Sequence, residues 1–197
     1  MAWLTPVTLP GTHATLVPLS IELAEPLAAA SRDGELSSLW YTAVPSPEAM
    51  VPTISQLLQH RDAGTVLPFA VLDAQGVPVG MTRLMNLDPI HKRLEIGGTW
   101  YARRVQRSAL NTECKRMLLG FAFDHLDCIA VEFRTHRLNQ QSRRAIERLG
   151  AQLDGILRAH QRTADGNLRD TAVYSITAAE WPTVRTHLDW QLSKPRA

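Results

Sequence analysis

The chain has 197 residues, 45% apolar and 20% charged, with a net charge of +2 at pH 7, which fits one globular domain spanning 1–197 with a substantial core. A charge this close to zero gives no whole-protein attraction for nucleic acid, no apolar run reaches bilayer length, and Met1–Pro6 carries no basic, apolar leader, so a cytoplasmic protein is expected. The two cysteines, Cys114 and Cys128, sit in apolar settings with no Cys-x-x-Cys spacing, which argues against a disulfide framework and a zinc site.

In chain order, residues 14–19 read as a short strand and 21–31 as a helix disturbed by Pro26. A proline-rich loop over 40–52 precedes a helix near 52–63. The period then changes: 68–73 and 77–84 are strand-like, joined by the turn Ala74-Gln75-Gly76. Asp88-Pro89 marks a second turn, and 93–101 completes an antiparallel meander at the centre of the fold. Leu110, Cys114, Met117, Leu118, Phe121 and Ala122 recur at three- and four-residue intervals, the single apolar face of a helix. Residues 128–135 alternate as a strand. Asn139 then stands where a helix cap belongs and Gly150 where that helix stops. Strands at 155–162 and 168–177 form a hairpin across Ala164-Asp165-Gly166-Asn167, and a last helix covers 180–191.

The most informative stretch is Leu94–Tyr101 with the residues after it. A buried strand runs into a basic loop of small residues holding Arg103, Arg104, Arg107 and Ser108, and then into a helix. A helix start aims unpaired N–H groups and a partial positive charge outward, a seat for a phosphorylated ligand. No Walker loop, Gly-x-Gly-x-x-Gly, Gly-x-Ser-x-Gly or His-Glu-x-x-His occurs. The seven histidines are scattered, so no metal site is expected. A second arginine tract, Arg143, Arg144 and Arg148, reads as a solvated surface. No base-stacking aromatics are interleaved with either tract, so no nucleic-acid partner is expected.

An ordered set of motifs extends this reading. Glu95-Ile96-Gly97, Thr99-Trp100, Asn111-Thr112-Glu113-Cys114-Lys115, Asn139-x-x-Ser142, Leu149-Gly150-Ala151, Gly155-x-x-Arg158, Asp165-Gly166, Arg169-Asp170 and Glu180-Trp181 follow one another from about Leu16 to Trp181. In this order they resemble the GNAT superfamily of N-acetyltransferases, in its RimJ/RimL-type branch of ribosomal-protein N-terminal acetyltransferases. The resemblance implies an α+β fold: a mixed, mostly antiparallel sheet of six to seven strands flanked by helices, with a V-shaped splay between the fourth and fifth strands. It further implies acetyl-coenzyme A as co-substrate without a metal, an amine acceptor, and a homodimer.

Site residues follow from the same resemblance. The pantetheine arm would lie between the strands holding Glu95–Tyr101 and Cys128–Thr135, beside Trp100 and Tyr101. The diphosphate would rest on the loop Arg104, Val105, Gln106, Arg107, Ser108, Ala109 and on Leu110 and Asn111. Arg107 stands where the family pattern has glycine. Asn139 would hold the arm and Ser142 would sit near the sulfur. The tyrosine that many relatives place seven residues after that asparagine is here Ile146, so Ser142 is the substitute hydrogen-bond donor to the departing thiolate, or else a helix-surface serine. Beside the resemblance, Glu95 is read from the residues themselves: a carboxylate inside an otherwise apolar strand, it is the expected base, acting through water, or else the partner of an arginine such as Arg83 on the neighbouring strand. Trp40 and Trp100 either line the acceptor pocket or belong to the core. The acceptor is a protein N-terminus or a small amine, the latter in an enclosed, acidic pocket. The alternative function is a non-catalytic coenzyme A-binding or sensing protein on the same fold.

Overall fold

The computed structural model describes residues 3–42, 44–163 and 165–194. Met1 and Ala2 of the N-terminal segment and Ala164 of the expected hairpin turn lie outside them. Among the described residues eight strands form one sheet in the order β1-β2-β3-β4-β5-β6-β8-β7. They are β1 (Leu9–Pro10), β2 (Ala14–Pro18), β3 (Leu67–Asp73), β4 (Pro78–Asp88), β5 (Arg93–Tyr101), β6 (Ala130–His136), β7 (Gln152–Arg162) and β8 (Leu168–Thr177). The helices are α1 (Ala24–Arg32), α2 (Met50–Asp62), α3 (Leu110–Gly120), α4 (Gln140–Glu147) and α5 (Trp181–Ser193).

The expected meander is present as antiparallel β3-β4-β5, and β5 and β6 pair in parallel, joined by α3 as a crossover. The expectation of six to seven strands is corrected to eight. The added strand, Leu9–Pro10, pairs with Leu16 and Thr15, and a two-residue strand ending in proline carries no period for a sequence to show. Pro26 causes no break: a short 3-10 turn over Ile21–Leu23 precedes α1, so the proline falls in the first turn, where its missing N–H has no helical acceptor to lose.

Alternation along the strands divides the site residues between two faces. Pairings of Met85 with Glu95, Arg83 with Gly97, Glu95 with Glu132, Arg134 with Val173 and His136 with Thr171 put Arg83, Glu95, Glu132, Arg134, His136 and Arg169 on one face. The connection after α1 reaches this face, where the Trp40 ring meets His136 edge-on at 5.1 Å. The opposite face carries Thr82, Thr99, Tyr101 and Phe133 and is covered by α3. Helix α3 buries Leu110, Cys114, Leu118 and Leu119 and is braced by α5. There Trp181 stacks on Phe123 at 5.3 Å and donates its indole N–H to Asp124 at 2.8 Å. Among the described residues no helix is long and apolar enough to cross a membrane.

Candidate active site

Strands β5 and β6 pair only over Arg93–Ala130, Leu94–Val131 and Glu95–Glu132. Beyond that point β5 continues to Tyr101, still paired with β4 at Gly80, and β6 continues to His136, still paired with β8 at Thr171. Their facing edges therefore part in mid-sheet, leaving two rows of main-chain N–H and C=O groups without a strand partner. Such an edge inside a sheet calls for something to complete it. Two glycines shape the opening. A Cβ on Gly80 would stand 2.1 Å from the Trp100 carbonyl oxygen, so only glycine lets β5 lie this close to β4 and away from β6. Met81 faces Trp100 while Arg83 faces Gly97, so β5 carries one extra residue, a bulge at Gly98-Thr99 with Gly98 at φ +56°.

After β5 the chain turns through Arg103–Val105 and is pinned from several sides. Arg103 and Arg104 donate their amides to the Asp33 carbonyl and carboxylate at 3.1 and 2.9 Å, and the Arg104 guanidinium pairs with buried Asp73 at 2.8 Å. Arg104 thus anchors the loop, while Arg107 is exposed. Ser108 Oγ donates to the Val105 carbonyl at 2.6 Å and accepts the Leu110 amide at 3.2 Å. The first bond into the helix is Glu113 N–H to Ala109 C=O, so the Asn111 and Thr112 amides lie ahead of the helical ladder. Glu113 itself accepts the amides of Thr12, His13 and Ala14, fixing the start of α3 to the start of β2.

Arg107 adopts φ +60°, the left-handed region where the family pattern has glycine. A side chain there costs on the order of 1 kcal/mol. Arg107→Gly is expected to raise stability by about 0.5–1 kcal/mol. The same change removes an exposed cation just ahead of α3, so affinity for the phosphorylated co-substrate expected from the sequence should fall about three- to tenfold and become less salt-dependent. Thermal melts and calorimetric titration at two salt concentrations check both; tighter binding by the variant would remove Arg107 from the phosphate seat.

Beneath the gap, on the α3 face, lies a group that the sequence reading passed over. Lys115 is buried, its ammonium donating to Thr99 Oγ1 at 2.8 Å and standing 5.9 Å from the centre of the Phe133 ring, one neighbour on each parted strand. Burial pushes its pKa down to about 8. A signal existed: Lys115 precedes Leu118 and Leu119 by three and four residues, inside the apolar stripe. Tyr101 and Cys114 are buried beside one another on the same face, and burial lifts the Cys114 thiol to about 12. Trp100, on the other face of β5, is buried, and among the described residues its indole Nε1 has no hydrogen-bond partner.

On the opposite face Glu95 is 5% exposed. Its Oε2 accepts from Asn86 Nδ2 at 2.7 Å and lies 3.5 Å from Arg134 Nε. Burial raises the Glu95 pKa, against the pull of Arg134 and Asn86. Arg83, the anticipated partner, makes no ion pair with it: its guanidinium lies over Gly98, where a Cβ would come within 2.6 Å of Nε. His136 accepts the Leu138 amide on Nδ1, and burial with Arg169 nearby lowers its pKa, keeping the ring neutral at pH 7. Trp40 is 63% exposed at the rim of this face rather than part of the core.

At the end of β6, Asn139 caps α4 through Oδ1, which accepts the Ser142 amide at 3.0 Å, leaving Nδ2 as its donor. Ser142 is half-buried on the first turn, and Ile146 is buried in the core. Trp100 and Tyr101 thus stand at the free end of β5, Asn139 and Ser142 just past the free end of β6, and Ser108 to Asn111 at the helix start. Glu95 stands where the parting begins.

A strand pair that parts in mid-sheet beside a basic loop and a helix start with amides ahead of its ladder fits a ligand with a peptide-like arm and a diphosphate. The sequence comparison names the family: residues 13–152 match the Acetyltransferase (GNAT) domain. The chain belongs to the GNAT acetyltransferase family. Among GNAT structures it is similar to a GCN5-related N-acetyltransferase from Brucella melitensis, at 28% identity and TM-score 0.85, covering 96% of this chain and 86% of that one. It shares the fold of Mycobacterium smegmatis RimJ, solved in complex with CoA-disulfide, at 20% identity and TM-score 0.78, covering 95% and 93%. A curated relative, the Bacillus subtilis protein named "Putative ribosomal N-acetyltransferase YdaF", is 31% identical over 102 residues, 52% of this chain. That match spans 55% of the relative's length, about half.

Proposed function

We propose that this chain transfers an acetyl group from acetyl-coenzyme A to a primary amine by direct attack within a ternary complex. The observation that carries the reading is the end of β5–β6 pairing at Glu95 and Glu132, which leaves a main-chain edge for an amide-bearing arm to complete. The co-substrate supplies a thioester, an acetyl group already activated toward amines. The chain's part is to place and to move protons. Orphan amides at the start of α3, with Arg107, receive the diphosphate. Asn139 Nδ2 and the free edge of β5 receive the arm. Glu95, held at a raised pKa, takes the proton of the incoming ammonium through water, and an N–H at the β5 bulge donates to the carbonyl oxygen as charge develops on it. Ser142 donates to the departing sulfur, with the Lys115 charge beneath the gap favouring the thiolate.

The acceptor is a protein N-terminus or a small-molecule amine; the first is suggested by the partial relative's name. A cytoplasmic homodimer is the accompanying reading. The test is thiol release from acetyl-coenzyme A on addition of N-terminal peptides and small amines over a range of pH. Release that requires an amine is expected. Coenzyme A binding with no release at any pH would leave the non-catalytic, sensing alternative in its place.

A further inference from the structure

The face of the sheet that holds Glu95 is basic, contrary to the acidic pocket expected for a small amine. Its carboxylates are already matched. Glu132 takes Arg134 at 2.8 Å and Arg93 at 2.7 Å, and Glu95 takes Asn86 and Arg134. Two guanidiniums remain. Arg83 has as its one hydrogen bond a contact of Nε with Met85 Sδ at 3.4 Å, and no carboxylate pairs with it among the described residues. Arg169 Nε is buried without an acceptor among the described residues. Burial weighs against the charge of both, and the charge that favours each is Glu95, at longer range than a contact. Arg83 lies over the bulge glycine Gly98, beside the free edge of β5, so its charge faces the place where an acceptor amine would approach.

Unmatched, partly buried guanidiniums are forks built for a planar anion. We propose that the acceptor carries a carboxylate close to its amine, and that Arg83 and Arg169 bind this carboxylate while the amine meets Glu95. This rests on the transfer reading above and narrows its substrate class. Polycationic amines are disfavoured by the same charges. The carboxylate could be the α-carboxylate of a free amino acid or an acidic side chain directly behind a protein N-terminus.

Acetyl transfer is to be measured on matched pairs: free amino acids against their α-amides, and Ser-Glu against Ser-Gln peptides with amidated C-termini. Whichever pair holds the true source should show kcat/KM about 10- to 100-fold higher for the acid, the ratio collapsing in Arg83→Gln and Arg169→Gln. Acid and amide used alike, or a ratio unchanged in both variants, would overturn the proposal. A binding arm needs no turnover: N-acetylated forms of the same acids and amides are titrated into the protein with coenzyme A present. Preference for the acid, lost in Arg83→Gln, supports the anion site even if no acceptor is acetylated, in which case transfer fails alone. Transfer to neutral amines without preference in either arm sinks the anion site alone.

Discussion

Glu95→Gln is expected to lower kcat by about 10²- to 10⁴-fold near neutral pH while the protein stays folded. Gln keeps the size of the side chain and an oxygen for Asn86 Nδ2, and removes only the ability to take a proton. The sign of the stability effect separates this from mere damage. Burial raises the Glu95 pKa above its ordinary 4.5, so between 4.5 and the raised value the folded chain holds a proton that the unfolded chain has released. Stability contributed by this group therefore falls as pH rises through that window, and the ionised carboxylate costs stability at pH 7. The variant should melt no lower than the parent at pH 7 and lack that fall. Its rate should also lose the acidic limb of the pH profile set by Glu95. A variant that keeps the parental kcat would return Glu95 to a structural role with Asn86 and Arg134.

Gly80→Ala should damage stability and activity together. Its new Cβ would lie 2.1 Å from the Trp100 carbonyl oxygen and 3.0 Å from Tyr101 Cα, both main-chain atoms that cannot swing aside as a side chain can. Strand β5 must then move off β4, toward the gap. A cost of about 2–3 kcal/mol follows from overpacking of this kind, a fall in melting temperature of roughly 5–10 °C for a chain of this size. Moving the β5 edge by even about 1 Å is expected to lower the rate about 10²-fold. Gly155→Ala is the control, since a Cβ there meets nothing within 4 Å, and it should change neither. Thermal melts and initial rates on the two variants check the pair. Equal behaviour would mean that the closeness of β5 to β4 does not set the gap.

The meander and the apolar face of α3 were legible because period-2 and period-3.6 patterns are properties of single segments. The parting of β5 from β6 was not visible in any pattern; it came with the family resemblance, because which strands stay paired depends on contacts between segments. The bulge at Gly98-Thr99 and the tight seat of Gly80 read as ordinary strand glycines until their neighbours are known. Arg104 reads as a phosphate ligand in the loop sequence, and nothing local shows its ion-pair partner, Asp73, which lies on another strand. Lys115 was readable as a charge inside an apolar stripe, though its two neighbours, Thr99 and Phe133, belong to two different strands. The basic character of the Glu95 face is the residue of many long-range pairings, and no local reading of Arg83 or Arg169 shows that each lacks a carboxylate.

A crystal structure with coenzyme A bound is expected to show the pantetheine arm between Ile96–Trp100 and Phe133–His136, hydrogen-bonded along the free edge of β5, with the diphosphate on the amides at Ser108 to Asn111. Coenzyme A found outside that gap, or β5 and β6 closed on each other past Glu95 and Glu132 in the complex, would contradict it.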